Sequence, residues 1–120
     1  MKRLFLDTIG KPATLELLAE ECSELAQAAL KYARILREEN PTPVTEDEAL
    51  KHLTEEIADV QILVRELTGP VVSSEDVEAM VQAKLGRTKE RYTNAGLLPD
   101  FDIAKFCNSW LRAKGLPERF

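Results

Sequence analysis

Histidine, tryptophan and cysteine are scarce: one, one and two among 120 residues. With a single histidine and no Glu-x-x-His anywhere, the chain cannot supply the paired motif of a carboxylate-bridged di-iron bundle. Cys22 and Cys107 form no Cys-x-x-Cys pair, so neither a zinc knot nor a disulfide framework has a basis here. Both fall in helical patterns, and the expectation is two buried free thiols in a reducing cytoplasm. No apolar run is long enough to span a bilayer, and Asp7 interrupts the short apolar start MKRLFLDTIG before a signal peptide could build. A basic excess is also missing. Lys and Arg total 16 against 21 Asp and Glu, a net charge of −5, which argues against a general nucleic-acid or anionic-membrane binder. Walker A loops, Gly-x-Gly-x-x-Gly turns and Gly-x-Ser-x-Gly elbows are absent.

What is present is a helical pattern. A chain of 120 residues, 44% hydrophobic and 31% charged, reads as one domain over 1–120 with a core large enough to need no staples. No run has the two-residue alternation of a strand. Residues 1–10 read as an extended lead-in ending at Gly10. A first helix is expected from Pro12 or Thr14 to about Arg37, stopped by the prolines of ENPTPVT. Thr45 and Glu48 form a capping box that opens a second helix, ending near Leu67 before Gly69-Pro70. Ser73 or Ser74 caps a third, to about Tyr92. Asn94 to Pro99 reads as a loop. A fourth helix follows from about Asp100 to Lys114, with Ile103, Phe106 and Trp110 on one face. The fold class is all-α, four-helix and bundle-like, with the first two helices antiparallel because their connection is short.

Four acids break the amphipathic rule. At roughly 100° per residue, Leu17, Leu18, Leu25, Ala28, Tyr32 and Ile35 line one side of the first helix. Glu21 stands in the middle of that stripe and Glu24 on its edge. The second helix repeats the pattern: Glu56 sits within the stripe of Ala49, Leu53, Val60, Leu63 and Leu67, with Asp59 at its edge. An unpaired carboxylate in a dry interior costs several kcal/mol, on the order of 3–5 when its partner is removed. Four together raise one another's pKa. A hard divalent cation resolves the conflict, because Mg²⁺ takes oxygen ligands and shares them with substrate phosphates.

On the third helix the stripe of Val77, Met80 and Val81 continues as Lys84, Arg87 and Arg91. These cations suit phosphate oxygens, although basic residues also favour a helix C-terminus through its dipole. Lys31, one to two turns beyond Glu24, is a further candidate of the same kind. His52, one turn before Glu56, can reach substrate or a carboxylate, or pack at the edge of the core. Tyr92 and Asn94 are candidate pocket residues. Gly86 either permits close approach of a phosphate or helix, or marks a loosened helix end. Phe101, Phe106, Trp110 and Phe120 make the C-terminal segment the most aromatic part, for packing or for stacking on a base.

The segments Glu20-Glu21-Cys22-Ser23-Glu24-Leu25 and Glu55-Glu56-Ile57-Ala58-Asp59-Val60 together resemble the paired Glu-x-x-Glu and Glu-x-x-Asp motifs of the MazG-like all-α NTP pyrophosphatases. The resemblance covers about residues 13–92, and the stretch from Glu24 to Glu56 is longer than in compact members of that family. It implies a Mg²⁺-dependent enzyme, with Mn²⁺ as a substitute, that splits a nucleoside triphosphate between its α and β phosphates to give monophosphate and pyrophosphate, clearing unwanted nucleotides. Glu21, Glu24, Glu56 and Asp59 would be the metal ligands, with Glu21 or Glu24 as general base. Lys84 and Arg87 lie where such enzymes carry phosphate-binding residues. A homodimer or homotetramer is implied as well. The related phosphoribosyl-ATP pyrophosphatase chemistry is an alternative reading. A non-catalytic helical interaction module, its acids salt-bridged to Lys84, Arg87 or a partner, is an alternative of another class.

Overall fold

Local caps decide where the helices start, and one cap comes from far away in sequence. The computed structural model describes residues 2–39, 43–96 and 103–120, and among them the chain is all-α. Its elements are α1 (Leu4–Leu36), α2 (Glu46–Leu67), α3 (Ser74–Ala95) and α4 (Ile103–Ala113). The chain divides into two compact units, Met1–Val71 and Val72–Phe120. No helix among the described residues is long and apolar enough to cross a membrane.

In the first unit, α1 begins well before the expected Pro12, so the lead-in is helical rather than extended. The Arg3 side chain does not cap it. Instead Glu66, from the end of α2, accepts hydrogen bonds at Oε1 from Phe5 N (2.7 Å) and Leu6 N (3.0 Å). Arg3 Nη1 donates in turn to the carbonyl of Arg65 at 2.9 Å. The helix breaks at Gly10, whose φ of 86° and ψ of 169° belong to a region that essentially only glycine occupies. Pro12 follows in the first turn after the break, where a missing N–H costs little. The buried Thr14 hydroxyl donates to the Gly10 carbonyl at 2.7 Å.

The second helix starts at the expected box: Glu48 N donates to Thr45 Oγ1 and Thr45 N to Glu48 Oε2, both at 3.2 Å. Ties at both ends make α1 and α2 antiparallel. Tyr32 Oη donates to Glu46 Oε1 at 3.4 Å, and the Glu66 cap closes the opposite end. Between them Ala28, Ala49, Leu63 and Leu67 are buried, while Leu17, Leu18, Leu25, Leu53 and Val60 are half-buried. Cys22 departs from expectation. It is an exposed free thiol, because one residue beyond Glu21 turns it about 100° off the stripe that meets α2.

In the second unit, Ser73 Oγ accepts from Asp76 N at 3.3 Å to cap α3. That helix runs to a left-handed Gly96, so Tyr92 and Asn94 are helical and exposed rather than at a helix end and in a loop. The remainder of the expected loop, Phe101 and the expected start of the fourth helix lie outside the described residues. α3 has no buried residue, and Val77 and Met80 are exposed where an inner face was expected. The inward residues of α4 are Cys107 and Leu111; Phe106 and Trp110 are exposed. A helical wheel orders residues around an axis but does not say which arc finds a partner. Cys107 is the expected buried thiol, and burial pushes its pKa up, with Lys89 pulling the other way.

Gly86 has a packing role. A Cβ there would stand 3.3 Å from the Phe120 ring, and Lys89 Nζ lies 5.9 Å over the same ring. Asn108 Oδ1 holds the tail by accepting from Arg119 N (3.1 Å) and Phe120 N (2.9 Å), while its Nδ2 donates to the Phe120 carbonyl.

Candidate metal centre

The two acid pairs meet because each occupies successive turns on the contacting sides of an antiparallel helix pair. Carboxylate oxygens of Glu21, Glu24 and Glu56 all lie within 4.8 Å of one another. Asp59 is not in that close group. It stands with Glu21 around a hollow of about 110 Å³ whose other walls are Phe5, Leu17, Ile62 and Leu63. Three of the four expected ligands are therefore gathered, with the fourth on the rim.

Burial is less complete than four inward acids would give. Glu56 is 8% exposed, Glu21 is half-buried, and Glu24 and Asp59 are exposed. Glu24 and Asp59 each sit about 60° from their neighbours around the helix, three residues on, which carries them to the open edge of the two-helix layer. The cluster is a half-wet site on one side of the hairpin.

Its electrostatics carry the mark of crowding. The Glu21 carboxyl is raised above its ordinary range, first by burial and then by the charges of Glu24, Asp59 and Glu56; contact with the Glu24 carboxyl adds to the shift. His52 Nε2 lies 3.1 Å from Glu56 Oε1, so the lone histidine touches a carboxylate. The second oxygen of Glu56 and Oε2 of Glu21 are both buried without a hydrogen-bond partner. Partnerless buried oxygens are rare in folded proteins, and two in one acidic cluster fit a bound cation that would satisfy both. The donor set is all oxygen, as a hard cation requires.

The basic candidates separate. Lys84, Arg87 and Arg91 line one hollow of about 220 Å³ along α3, with Thr88 completing it. Thr88 had not been anticipated, although its spacing one turn from Lys84 and Arg91 is visible in the sequence. Lys31 is half-buried on α1 and is not part of the carboxylate group. Phe5 and Ile62 were also missed as walls of the acidic hollow, Phe5 because its segment carries no local helix signal. No family model matches the chain, and no curated protein or solved structure matches it either.

Proposed function

We propose that the α1–α2 hairpin holds Mg²⁺, with Mn²⁺ able to replace it, and that the protein hydrolyses a nucleoside or deoxynucleoside triphosphate to the monophosphate and pyrophosphate. The observation that carries the metal part is the pair of buried, partnerless oxygens on Glu21 and Glu56 within a close carboxylate group. The nucleotide part rests on the likeness of the two acid motifs to those of MazG-like pyrophosphatases.

Glu21, Glu24 and Glu56 would hold the ion directly, with Asp59 reached across the rim. When bound, such an ion neutralises phosphate charge and acidifies water. The chain's own groups have distinct tasks. His52 orients Glu56 through Oε1 and leaves Oε2 for the ion. In the second unit, Lys84, Arg87 and Arg91 line a hollow of their own on α3, a set of three cations suited to phosphate oxygens. In the hydrolysis, the water oxygen bonds to phosphorus, the bridging P–O bond breaks, and its electron pair leaves with pyrophosphate. The water's proton passes to Glu21 or Glu24. Phosphoryl chemistry depends on position and charge, so no protein nucleophile is needed.

Product analysis over a panel of ribo- and deoxynucleoside triphosphates with Mg²⁺ tests the reading. Monophosphate plus pyrophosphate is expected, lost in Glu56→Gln. That variant should keep the apo fold, since it removes a charge from a crowded site. Diphosphate plus phosphate would overturn the proposed bond cleavage. Turnover of phosphoribosyl-ATP alone would move the substrate to the alternative enzyme. No turnover of any of these, together with equal melting temperatures in saturating Mg²⁺ and in chelator, would favour a non-catalytic interaction module.

A further inference from the structure

The hollow beside the carboxylates has more in it than acids. Four of its six walls are apolar, Phe5, Leu17, Ile62 and Leu63, and the other two are Glu21 and Asp59. Three come from α1 and three from α2, all within the first unit. A concave apolar lining with a few fixed polar groups is how proteins hold a small organic ring, the walls supplying area and the polar groups orientation. A cation needs only the oxygens; Phe5 and Ile62 have nothing to offer it.

Size and charge narrow the choice of ring. The hollow measures about 110 Å³, and an apolar cavity of about 150 Å³ encloses one benzene. One six-membered ring fits with an edge left at the mouth, and the fused rings of a purine do not. Phe5 gives that ring an aromatic neighbour, but stacking on an aromatic side chain tolerates any base. Selection falls to the carboxylates, which when ionised accept hydrogen bonds and donate none. Cytosine meets that demand, because its exocyclic amine donates where thymine carries a carbonyl oxygen. A carbonyl facing a carboxylate leaves both without a donor, which counts against the wrong ring.

We propose that this hollow is the base subsite of the substrate and takes cytosine, with Asp59 accepting the amine at C4. Asp59 is free for that task because it stands outside the close group of Glu21, Glu24 and Glu56 while bordering the hollow. Its two oxygens serve two partners, one toward the ion across the rim and one toward the base. Glu21 belongs both to the hollow and to the close group, so a base seated in the first has its phosphates beside the second. The substrate is then a cytidine or deoxycytidine triphosphate, and in that respect the subsite rests on the nucleotide reading. Seating the ring does not itself require hydrolysis.

The monophosphates dCMP, dTMP and dAMP carry the ring but no α–β bond, so they test the subsite apart from the reaction. Methyl and aromatic NMR signals of Ile62, Leu63 and Phe5, followed with Mg²⁺ and again in chelator, should move with dCMP. Its Kd should lie about 10–100-fold below those of dTMP and dAMP. Asp59→Asn should narrow the gap between dCMP and dTMP to about threefold or less, because an amide donates as well as accepts. Ile62→Trp fills the hollow and should abolish the dCMP shifts at Phe5. With Mg²⁺, kcat/KM for dCTP should exceed that for dTTP by a factor of the same order. Equal affinities for the three monophosphates, no shifts at these residues, or a preference unchanged in Asp59→Asn would overturn the subsite. If dCMP fills the hollow but no triphosphate is turned over, the subsite stands and the hydrolysis falls. Turnover without preference for cytosine does the reverse.

Discussion

Replacing Glu66 removes a helix cap supplied by another helix. Its Oε1 accepts two N–H groups of the first turn of α1, at 2.7 and 3.0 Å, and the residue is 8% exposed. Hydrogen bonds to a charged acceptor contribute about 1.5–3 kcal/mol each; two sharing one oxygen contribute less than twice that. The charge at a helix N-terminus adds about 0.3–1 kcal/mol. Glu66→Ala should therefore cost about 3 kcal/mol, and Glu66→Gln, which keeps an acceptor but not the charge, about 1 kcal/mol. At about 4 °C per kcal/mol for a chain of this size, melting should fall by about 12 °C and 4 °C. Circular dichroism measures both, and amide exchange at Phe5 and Leu6 locates the loss. There is a second readout at the site. Phe5 walls the hollow beside Glu21, and burial is the largest cause of that carboxyl's raised pKa. Carbon-13 titration of Glu66→Ala should find Glu21 moved back toward its ordinary range. A Glu66→Ala protein within 0.5 kcal/mol of the parent, with Glu21 unmoved, would refute the cap and its link to the site.

Three further outcomes follow from the same geometry. Glu21 titrates above its ordinary 4.5, so the folded protein binds a proton there that the unfolded chain does not, and this group's contribution to stability falls as pH rises through that window. In chelator, the parent should therefore gain melting temperature relative to Glu21→Gln as pH drops from neutral toward 4.5; a pH-independent difference would contradict the crowding. Gly10→Ala forces a side chain into φ 86° and should cost about 1–3 kcal/mol by urea unfolding, with no cost counting against the break. Glu38 holds a left-handed φ of 57° after α1, so Glu38→Gly should gain about 0.5–1 kcal/mol, and a loss would mean the side chain has an unseen role.

What the sequence made legible was local. The capping box at Thr45 and Glu48 and the Ser73 cap involve partners within three residues, so their chemistry is written side by side. The acid pairs were legible because three residues is nearly one turn, which sets both members of each pair on one side of its helix. The start of α1 was hidden because its cap comes from Glu66, some sixty positions on, and Gly10 looks like an ending unless that cap is known. Cys22, Val77 and Met80, expected inside, are exposed for another reason. Their exposure depends on which arc of a helix is covered, and that is decided by neighbours rather than by periodicity.

The break at Gly10 also has a consequence for the order of events in folding. The piece Leu4–Ile9 is under two turns long, too short to be helical alone in water, and its cap residue does not exist in place until α2 has formed and docked. It must therefore be added late and released early, as a separate opening unit below the global unfolding threshold. Since Phe5 belongs to that piece, one wall of the acidic hollow is erected last, and the ease of its opening sets how freely solvent exchanges around Glu21.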